Sequence, residues 1–333
     1  MTREEIILRR MQGQHLLSPV SAEKAAADLC GIQAQFLTYA LHALKIRGSN
    51  NTEGLIKSWT NRGTMHLFPE RELPLFLHDG RSHFLRPVDT MESDAYMNAE
   101  RKAYYAEIIC EAIACGTDGR EELKALCERR GMLESESRSA FDPWGGLIRA
   151  LCEDGRICHK VQEKKAYRLC PEFVPMEREE ACLELLRRYF SHFGPATVKD
   201  AAAFFAFTQK EIKKLMEKLP LETCELMGNT YFFIGDAPTK HEMTNCMFLA
   251  GFDQLLLGYE KKESLIFSQD NLREIYTLSG IVRPVLLVNG AASGTWRLKN
   301  RKLEITLFDE IIKAPIEKTA YEIWAGLKEI KFT

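Results

Sequence analysis

The sequence predicts an α+β fold of repeated helix-rich modules followed by a strand-rich region. Two observations carry this prediction: helices followed by strands recur three times over residues 1–238, and residues 239–333 consist mainly of apolar segments separated by turn residues. Hydrophobic residues make up 45% of the chain and charged residues 28%, which are ordinary globular values and exclude wholesale disorder.

The first predicted module covers residues 1–92. Helices are expected over residues 3–16, after the N-cap candidate Ser21, over residues 36–48 and over Thr52–Trp59. A strand is expected in RGTMHLF and a further helix in the segment that follows it. Three helices followed by a strand are typical of a winged-helix module.

The same order predicts a second module over 93–175 and a third over 176–238. In the second, Thr117 or Asp118 is expected to cap a helix, Asp142 to open another, and residues 156–170 to form a two-stranded wing. In the third, a helix over 177–193 precedes helices opened near Thr197 and Thr208 and a hairpin with Gly228-Asn229 as its turn.

Residues 239–333 form the fourth predicted region, which is rich in strands. Turn signals at Asn289-Gly290 and Lys299-Asn300 divide its apolar segments, and a closing helix is expected in PIEKTAYEIWAGLKEI. Trp296 is expected to pack in the core or on a hairpin.

The overall charge excludes a uniformly basic nucleic-acid binder. The chain has 45 basic and 47 acidic side chains, a formal net charge of −2. An acidic middle block masks local basic clusters at positions where winged helices meet phosphates. These clusters are Arg156, Lys160, Lys164, Lys165 and Arg168 on the second wing, Lys210, Lys213 and Lys214 on a helix of the third module, and Arg297, Lys299 and Arg301 on the last hairpin. The alternative for any single cluster is a solvated charged surface.

Other classes are disfavoured by what the sequence lacks. No apolar run approaches the roughly 18 residues needed to span a membrane, and the N-terminus has no secretion signal. None of the ten cysteines forms a CxxC pair, so we expect reduced thiols, a cytoplasmic location, no metal site and no cofactor. No phosphate-binding loop, HExxH or GxSxG motif is present.

One short segment is unusual on physical grounds. Gln33 and Gln35 flank Ala34 after an apolar helix, and residues at i and i+2 cannot share a helix face. They can point the same way if the backbone is extended or turns. Their amides would then present oxygen dipoles and donors without a formal charge. The alternative is that both glutamines are ordinary surface or buried hydrogen-bonding residues.

Several motifs resemble one known family. GIQAQ at 31–35, WTNRGTMHL at 59–67, FDQLLLGYEKK at 252–262 and GIVRPVLLVNGAASGTWRLK at 280–299 are similar to the winged-helix DNA-binding family that contains the AlkZ-type DNA glycosylases and their YcaQ-like relatives. The resemblance spans nearly the whole chain. Glu260-Lys261 stands where many relatives have an Asp-Arg type pair, so the role of that loop stays open.

The resemblance implies catalytic roles for Gln33 and Gln35, and the place of Arg62 and His66 on or next to the first strand predicts that they contact DNA phosphate or help frame the site. An N3- or N7-alkylated purine is cationic and already a good leaving group, so amides that position a water near the sugar would suffice. For Arg62 and His66 the alternative is that they tie the strand to the helices. The expected partner is double-stranded DNA with alkylated bases or an interstrand crosslink, and the expected protein is a monomeric, monofunctional glycosylase.

Two other classes stay open. A non-catalytic winged-helix DNA-binding protein, such as a regulator or a lesion-recognition factor, would not require the Gln-Ala-Gln motif. A protein-interaction scaffold of degenerate winged helices would fit the near-zero charge, and its binding to DNA would not fall steeply with salt.

Overall fold

The computed structural model describes residues 1–60, 63–81, 86–235, 243 and 245–333. In chain order, the elements of the first half are α1 (Arg3–Gly13), α2 (Ala22–Asp28), β1 (Ile32–Gln33), α3 (Leu37–Lys45), β2 (Leu55–Trp59), β3 (Met65–Pro69), α4 (Leu73–Phe76), α5 (Ala99–Ala114), α6 (Arg120–Arg129), α7 (Glu134–Ala140), α8 (Gly146–Glu153), β4 (Ile157–His159) and β5 (Tyr167–Leu169). Those of the second half are α9 (Arg178–His192), α10 (Val198–Phe205), α11 (Gln209–Met216), β6 (Glu222–Leu226), β7 (Asn229–Phe233), β8 (Cys246–Leu249), α12 (Gln254–Leu257), α13 (Leu272–Ile275), β9 (Val285–Val288), β10 (Ala291–Lys299), β11 (Lys302–Leu307), α14 (Ala314–Ile323) and β12 (Glu329–Phe332). The predicted α+β class is confirmed.

The chain divides into two compact units. The first unit joins Met1–Asn51 to Leu183–Thr333, and the second unit is the continuous segment Thr52–Cys182. The four predicted modules divide the chain at other positions than these two units do, and the module boundaries stay a prediction. In the described part of the chain, no helix has the length and apolar character needed to cross a bilayer.

In the first unit, a five-stranded sheet has the order β12-β11-β10-β9-β8. Its pairs are antiparallel except β11 with β12, which run parallel. Phe248, Trp296 and Trp324 pack together on this sheet, and the Trp296 indole N–H donates to the Leu249 carbonyl at 2.9 Å. The expected core position of Trp296 is confirmed. The β6–β7 hairpin forms a separate two-stranded sheet.

In the second unit, α5 and α8 pack on one sheet whose order is β3-β2-β4-β5, all antiparallel, and α6 packs against α5. Buried residues from strand and helices meet in one core, for example Trp59, Tyr105, Ile109 and Leu151. The predicted pair of strands in residues 156–170 is confirmed as β4 and β5.

The predicted helix over Thr52–Trp59 is wrong, because this segment forms strand β2. Gly54 has φ +75°, a left-handed conformation that breaks a helix there. All five residues of β2 are buried, and the strand pairs with β3 on one edge and β4 on the other. A strand buried on both faces shows no alternation in its sequence, so its period does not reveal it.

Local capping chemistry explains most of the other boundaries. Ser21, Thr197 and Thr208 accept hydrogen bonds from the backbone N–H groups of their first helical turns, as expected. The expected cap of α6 by Thr117 or Asp118 is wrong, because Gly119 occupies the N-cap.

The hairpin turns follow the predicted residues closely. Asn289 and Gly290 both have positive φ, which confirms the turn between β9 and β10. The other two turns lie one residue away from the prediction, at Met227-Gly228 and at Asn300-Arg301, where the positive φ values occur.

Candidate functional site

The Gln-Ala-Gln segment lies where the chain leaves α2. Cys30 and Gly31 adopt left-handed conformations, with φ +53° and +85°, and end the helix. Ile32 and Gln33 then form the short strand β1. On an extended backbone, residues i and i+2 face the same side. The Gln33 Nε2 donates to the Gln35 Oε1 at 3.4 Å, which agrees with the expectation that the two amides point the same way.

The two amides differ in exposure. Gln33 retains 9% of its surface, whereas Gln35 is half-buried. Their mutual bond uses one donor of Gln33 and one acceptor of Gln35, so the Gln33 carbonyl and the Gln35 amide group keep hydrogen-bonding capacity for a water or a substrate. Among the described residues, no carboxylate, imidazole or lysine amine hydrogen-bonds to either glutamine. The pair can therefore orient a water and stabilise positive charge, but has no strong acid or base attached.

A buried residue from the FDQ motif supports this segment. Gln254, at the start of α12, is fully buried, and its Nε2 donates to the Gly31 carbonyl at 2.9 Å. This bond fixes the left-handed turn that precedes β1. Gln254 was not among the predicted site residues. The sequence does contain one indication of this role, because the polar residues Asp253 and Gln254 directly precede an apolar run. Polar residues that are buried together with such a run need hydrogen-bonding partners.

Asp253, next to Gln254, forms a fully buried ion pair with Arg47. Both Arg47 terminal nitrogens donate to the carboxylate at 2.9 Å, and neither side chain is exposed. Arg47 also donates through Nε to the Gln14 carbonyl. This bidentate pair joins the end of α3 to the start of α12 and so anchors both sides of the Gln254 contact.

An aromatic group borders the Gln35 side of the segment. Phe36 directly follows Gln35, is 41% exposed and stacks on Phe252 with ring centroids 5.5 Å apart and planes 22° from parallel. Tyr39 packs against both rings. An exposed aromatic ring can stack on a nucleobase. From the sequence alone, Phe36 is predicted only to begin an apolar helix.

The two site candidates on the RGTMHL motif have different outcomes. Arg62 lies outside the described residues. His66, on β3, is completely buried, and its Nδ1 lies 2.9 Å from the Thr60 hydroxyl and 3.0 Å from the Thr64 carbonyl. These bonds give His66 a structural role between Thr60 and Thr64 rather than the expected tie from the strand to the helices, and its contact with DNA stays a prediction.

The basic cluster of the β4–β5 hairpin is largely neutralised by acids of the second unit. Its ion pairs are Arg156 with Glu107, Lys160 with Asp118, Lys164 with Glu122 and Arg168 with Glu70. Lys165 has no ion pair within the described ranges, and burial followed by the charge of Arg120 lowers the pKa of its ammonium group.

The basic residues of the first unit are paired less completely. On α11, Lys210, Lys213 and Lys214 are exposed and have no ion-pair partner in the part of the chain that the structure describes. On the β10–β11 hairpin, Arg297 pairs with Glu304, and Arg301 donates to the Gly326 carbonyl. Lys299 at the hairpin tip is exposed. The contribution of each cluster to DNA binding stays a prediction.

Comparisons with known proteins assign the class of protein. A solved structure, Streptomyces sahachiroi DNA glycosylase AlkZ, superposes with a TM-score of 0.79 and 22% identity, covering 100% of this chain and 99% of that one, which shows a shared fold. A curated relative from the same organism, named "Interstrand DNA cross-link repair glycosylase", is 26% identical over 360 residues, covering 96% of this chain and 94% of the relative. The chain is therefore similar, over nearly its whole length, to proteins named as DNA glycosylases.

The family assignment is more specific. The model of the family described as "DNA glycosylase AlkZ-like" matches residues 26–327. The chain belongs to this family, which confirms the resemblance inferred from the Gln-Ala-Gln, RGTMHL, FDQ and GTW motifs.

Proposed function

We propose that this protein is a monofunctional DNA glycosylase that releases N3- or N7-alkylated purines and unhooks interstrand crosslinks made through such positions. The observation that carries the proposal is the amide pair of Gln33 and Gln35, in contact at 3.4 Å and without an attached acid or base. The relative named for crosslink repair, aligned over 96% of this chain, supports the crosslink as a substrate.

Within the described residues, the glutamine pair has no strong acid or base attached, but an alkylated purine is already a good leaving group. Alkylation at N3 or N7 gives the purine a positive charge, so the glycosidic electron pair moves into the base as the bond breaks and the base leaves neutral. The sugar becomes oxocarbenium-like at C1′. The Gln33 carbonyl oxygen stabilises that charge and, together with the Gln35 NH₂ group, holds the water whose oxygen bonds to C1′, while the water's proton passes to solvent.

Hydrolysis by water makes the activity monofunctional. A glycosylase that also cleaves the DNA strand needs an amine nucleophile that forms a Schiff base with the sugar. In the proposed reaction the nucleophile is the water held by Gln33 and Gln35, and no lysine amine takes part. Unmodified purines, which are poor leaving groups, stay intact.

The proposed architecture is a set of tandem winged-helix modules. Support comes from the order of elements: α10 and α11, each opened by a threonine capping box, precede the β6–β7 hairpin, and α8 precedes the β4–β5 hairpin. A helix pair followed by a two-stranded wing is the winged-helix arrangement. We propose that the protein acts as a monomer on duplex DNA in the cytoplasm, where its ten free cysteines stay reduced.

Base release from DNA tests the proposal. Duplexes containing 7-methylguanine, and duplexes crosslinked through guanine N7, are incubated with the protein and with the Gln33→Ala/Gln35→Ala variant. Loss of the positioned amides is expected to slow release by at least about 100-fold. Duplex affinity is expected to change little, since uncharged amides make no ionic contact with phosphates.

Gln269→Ala is the matched control, because Gln269 is an exposed glutamine that only donates to the Lys261 carbonyl. No release of either lesion by the unaltered protein would favour the non-catalytic DNA-binding protein, and loss of duplex affinity in the double variant would assign the two glutamines a binding role. DNA binding that does not weaken with salt would favour the scaffold.

A further inference from the structure

Three side chains outside the glutamine site converge in the first unit. His15 follows α1, Asp28 ends α2 and His192 ends α9, and one ligand atom from each lies within 4.8 Å of the other two. The His15 Nε2 is 2.7 Å from one Asp28 oxygen, and the His192 Nε2 is 3.7 Å from the other. Two imidazole nitrogens and a carboxylate thus surround one point.

The backbone is shaped to bring these side chains together. The His192 Nδ1–H donates to the Gly13 carbonyl at 3.0 Å, which turns the Nε2 lone pair toward Asp28. A Cβ on Gly13 would lie 2.6 Å from the His192 carbonyl oxygen, so only glycine permits this approach of α1 to α9. His15 has φ +59°, which a non-glycine residue rarely adopts.

The donor set is selective in its chemistry. Two imidazoles and a carboxylate suit Zn²⁺ and similar divalent transition metals, whereas Mg²⁺ and Ca²⁺ prefer oxygen ligands. The three side chains are 11%, 16% and 22% exposed, so an ion has access and water can complete its coordination. We propose that His15, Asp28 and His192 bind one divalent transition-metal ion, with Zn²⁺ as the best match.

The ion would be structural. It would tie the ends of α1, α2 and α9 together just before the turn at Cys30 and Gly31 that leads to Gln33. The sequence predicted no metal site, because His15 and Asp28 are 13 positions apart and match no metal-binding spacing, while His192 is far along the chain. No contact joins the three ligands to the glutamine pair within the described residues, so metal binding and base release are separable.

Lys24 makes the proposal sharply testable. Its ammonium group lies 2.7 Å from the Asp28 oxygen that also faces His15, and its side chain is 56% exposed. A bound cation would repel this ammonium, and Lys24 can swing into solvent. Removing Lys24 therefore strengthens metal binding. If the three side chains form only a hydrogen-bonded cluster, removing Lys24 creates no metal affinity.

The experiment uses the full chain, freed of metal with a chelator and titrated with Co²⁺ as a spectroscopic probe and with Zn²⁺ by calorimetry. We expect one ion per chain, visible Co²⁺ ligand-field bands without the thiolate charge-transfer band that cysteine ligands produce, and an increase in Tm with Zn²⁺. His192→Ala and Asp28→Asn should weaken binding more than about tenfold, and Lys24→Ala should tighten it. Asp270→Asn, at an exposed carboxylate elsewhere, should change nothing.

Three results would overturn the proposal: no ligand-field bands with the unaltered chain, a thiolate band, or equal affinity in the unaltered chain and the Asp28→Asn variant. Circular dichroism of the metal-free variants shows whether each is folded. If His192→Ala is not folded, Asp28→Asn, which keeps the shape of the side chain, and Lys24→Ala still decide the question.

Discussion

Two groups of ion pairs, one in each compact unit, lie at different depths. In the first unit, Arg47 and Asp253 are fully buried, and Arg10 and Asp200 lie 3.7 Å apart with at most 5% exposure. In the second unit, the pairs of the β4–β5 hairpin lie at the surface, as with Lys164 at 75% and Glu122 at 54% exposure. Burial strengthens the electrostatic interaction and prevents its replacement by water, whereas surface pairs exchange readily with solvent.

The difference shows that one kind of contact serves two purposes. The buried Arg47–Asp253 pair fixes the backbone beside the glutamine segment, and the surface pairs cancel the charge of a basic hairpin. Counting lysines and arginines along the sequence therefore overstates the field that the hairpin presents to DNA. On α11, the exposed Lys210, Lys213 and Lys214 keep their full charge.

The largest expected effect is at the buried pair. Asp253→Ala leaves the Arg47 guanidinium buried without its carboxylate and should cost about 3–5 kcal/mol of unfolding free energy. Urea unfolding followed by circular dichroism measures it. Glu122→Ala, which breaks a surface pair, should cost less than about 1 kcal/mol. Similar losses in both variants would remove the distinction between the units.

The next effect concerns the support of the active segment. Gln254→Leu removes the donor to the Gly31 carbonyl and should cost about 1–3 kcal/mol, because that carbonyl is then buried without its donor. The Gln254 Oε1 has no partner among the described residues, so its removal offsets part of the loss. Release of 7-methylguanine should slow at unchanged DNA affinity, as expected of a positioning residue. Unchanged release after Gln254→Leu would show that the turn holds its shape without this bond.

A buried base in the second unit should make stability depend on pH. Burial first, and then the charges of Lys57 and Lys165, lower the pKa of His159 to about 3. In the unfolded chain, His159 binds a proton near pH 6.5, whereas in the folded state it stays neutral at that pH. The contribution of neutral, buried His159 to the unfolding free energy is therefore complete above pH 6.5 and falls as the pH drops.

Between pH 7.5 and pH 5.5, His159 should account for about 1 kcal/mol of lost stability. His159→Gln, which does not titrate, should lose that much less over the same interval in urea unfolding. An identical pH dependence in the variant and the unaltered protein would contradict the assignment of this loss to His159.

Duplex binding by lysine variants compares the basic cluster on α11 with the basic cluster on the β4–β5 hairpin. Lys213→Ala/Lys214→Ala should reduce the slope of log affinity against log salt concentration. The reduction should be about 0.9 for each phosphate that the protein no longer neutralises. Lys160→Ala/Lys164→Ala should reduce the slope less, because both lysines already pair with Asp118 and Glu122. Fluorescence anisotropy at several salt concentrations gives both slopes. A larger effect on the hairpin than on α11 would reverse the ranking of the two clusters.

The smallest effect should come from releasing a neutralised lysine. Glu122→Gln frees Lys164 and should tighten duplex binding by no more than a few-fold, with a stability change within about 0.5 kcal/mol. Lys164→Ala added to Glu122→Gln should abolish the gain, and a gain that persists would place its source elsewhere.

Features set by neighbouring residues could be predicted from the sequence. Thr197 and Thr208 cap the helices that directly follow them, and Gln33 and Gln35 face the same side because two positions on an extended segment must do so. Each of the four motifs that led to the family is also a continuous stretch of the sequence.

Features that depend on distant partners could not be predicted. Asp253 finds Arg47 206 positions away, and Gln254 reaches Gly31 across 223 positions. Strand β2 was mistaken for a helix because all five of its residues are buried, so its sequence does not alternate, and its pairing partners β3 and β4 lie outside the segment. The pairing of the hairpin lysines depends in the same way on acids from other elements.

The interrupted course of the first unit has a consequence for synthesis on the ribosome. Helices α1, α2 and α3 emerge first, yet their unit is complete only after Leu183–Thr333 has followed the whole of Thr52–Cys182. At a synthesis rate of about 5–20 residues per second, on the order of ten seconds pass between the synthesis of the N-terminal segment and the appearance of the first residues that pack against it. The continuous second unit can fold during that delay, and its folding shortens the effective loop that the first unit must close.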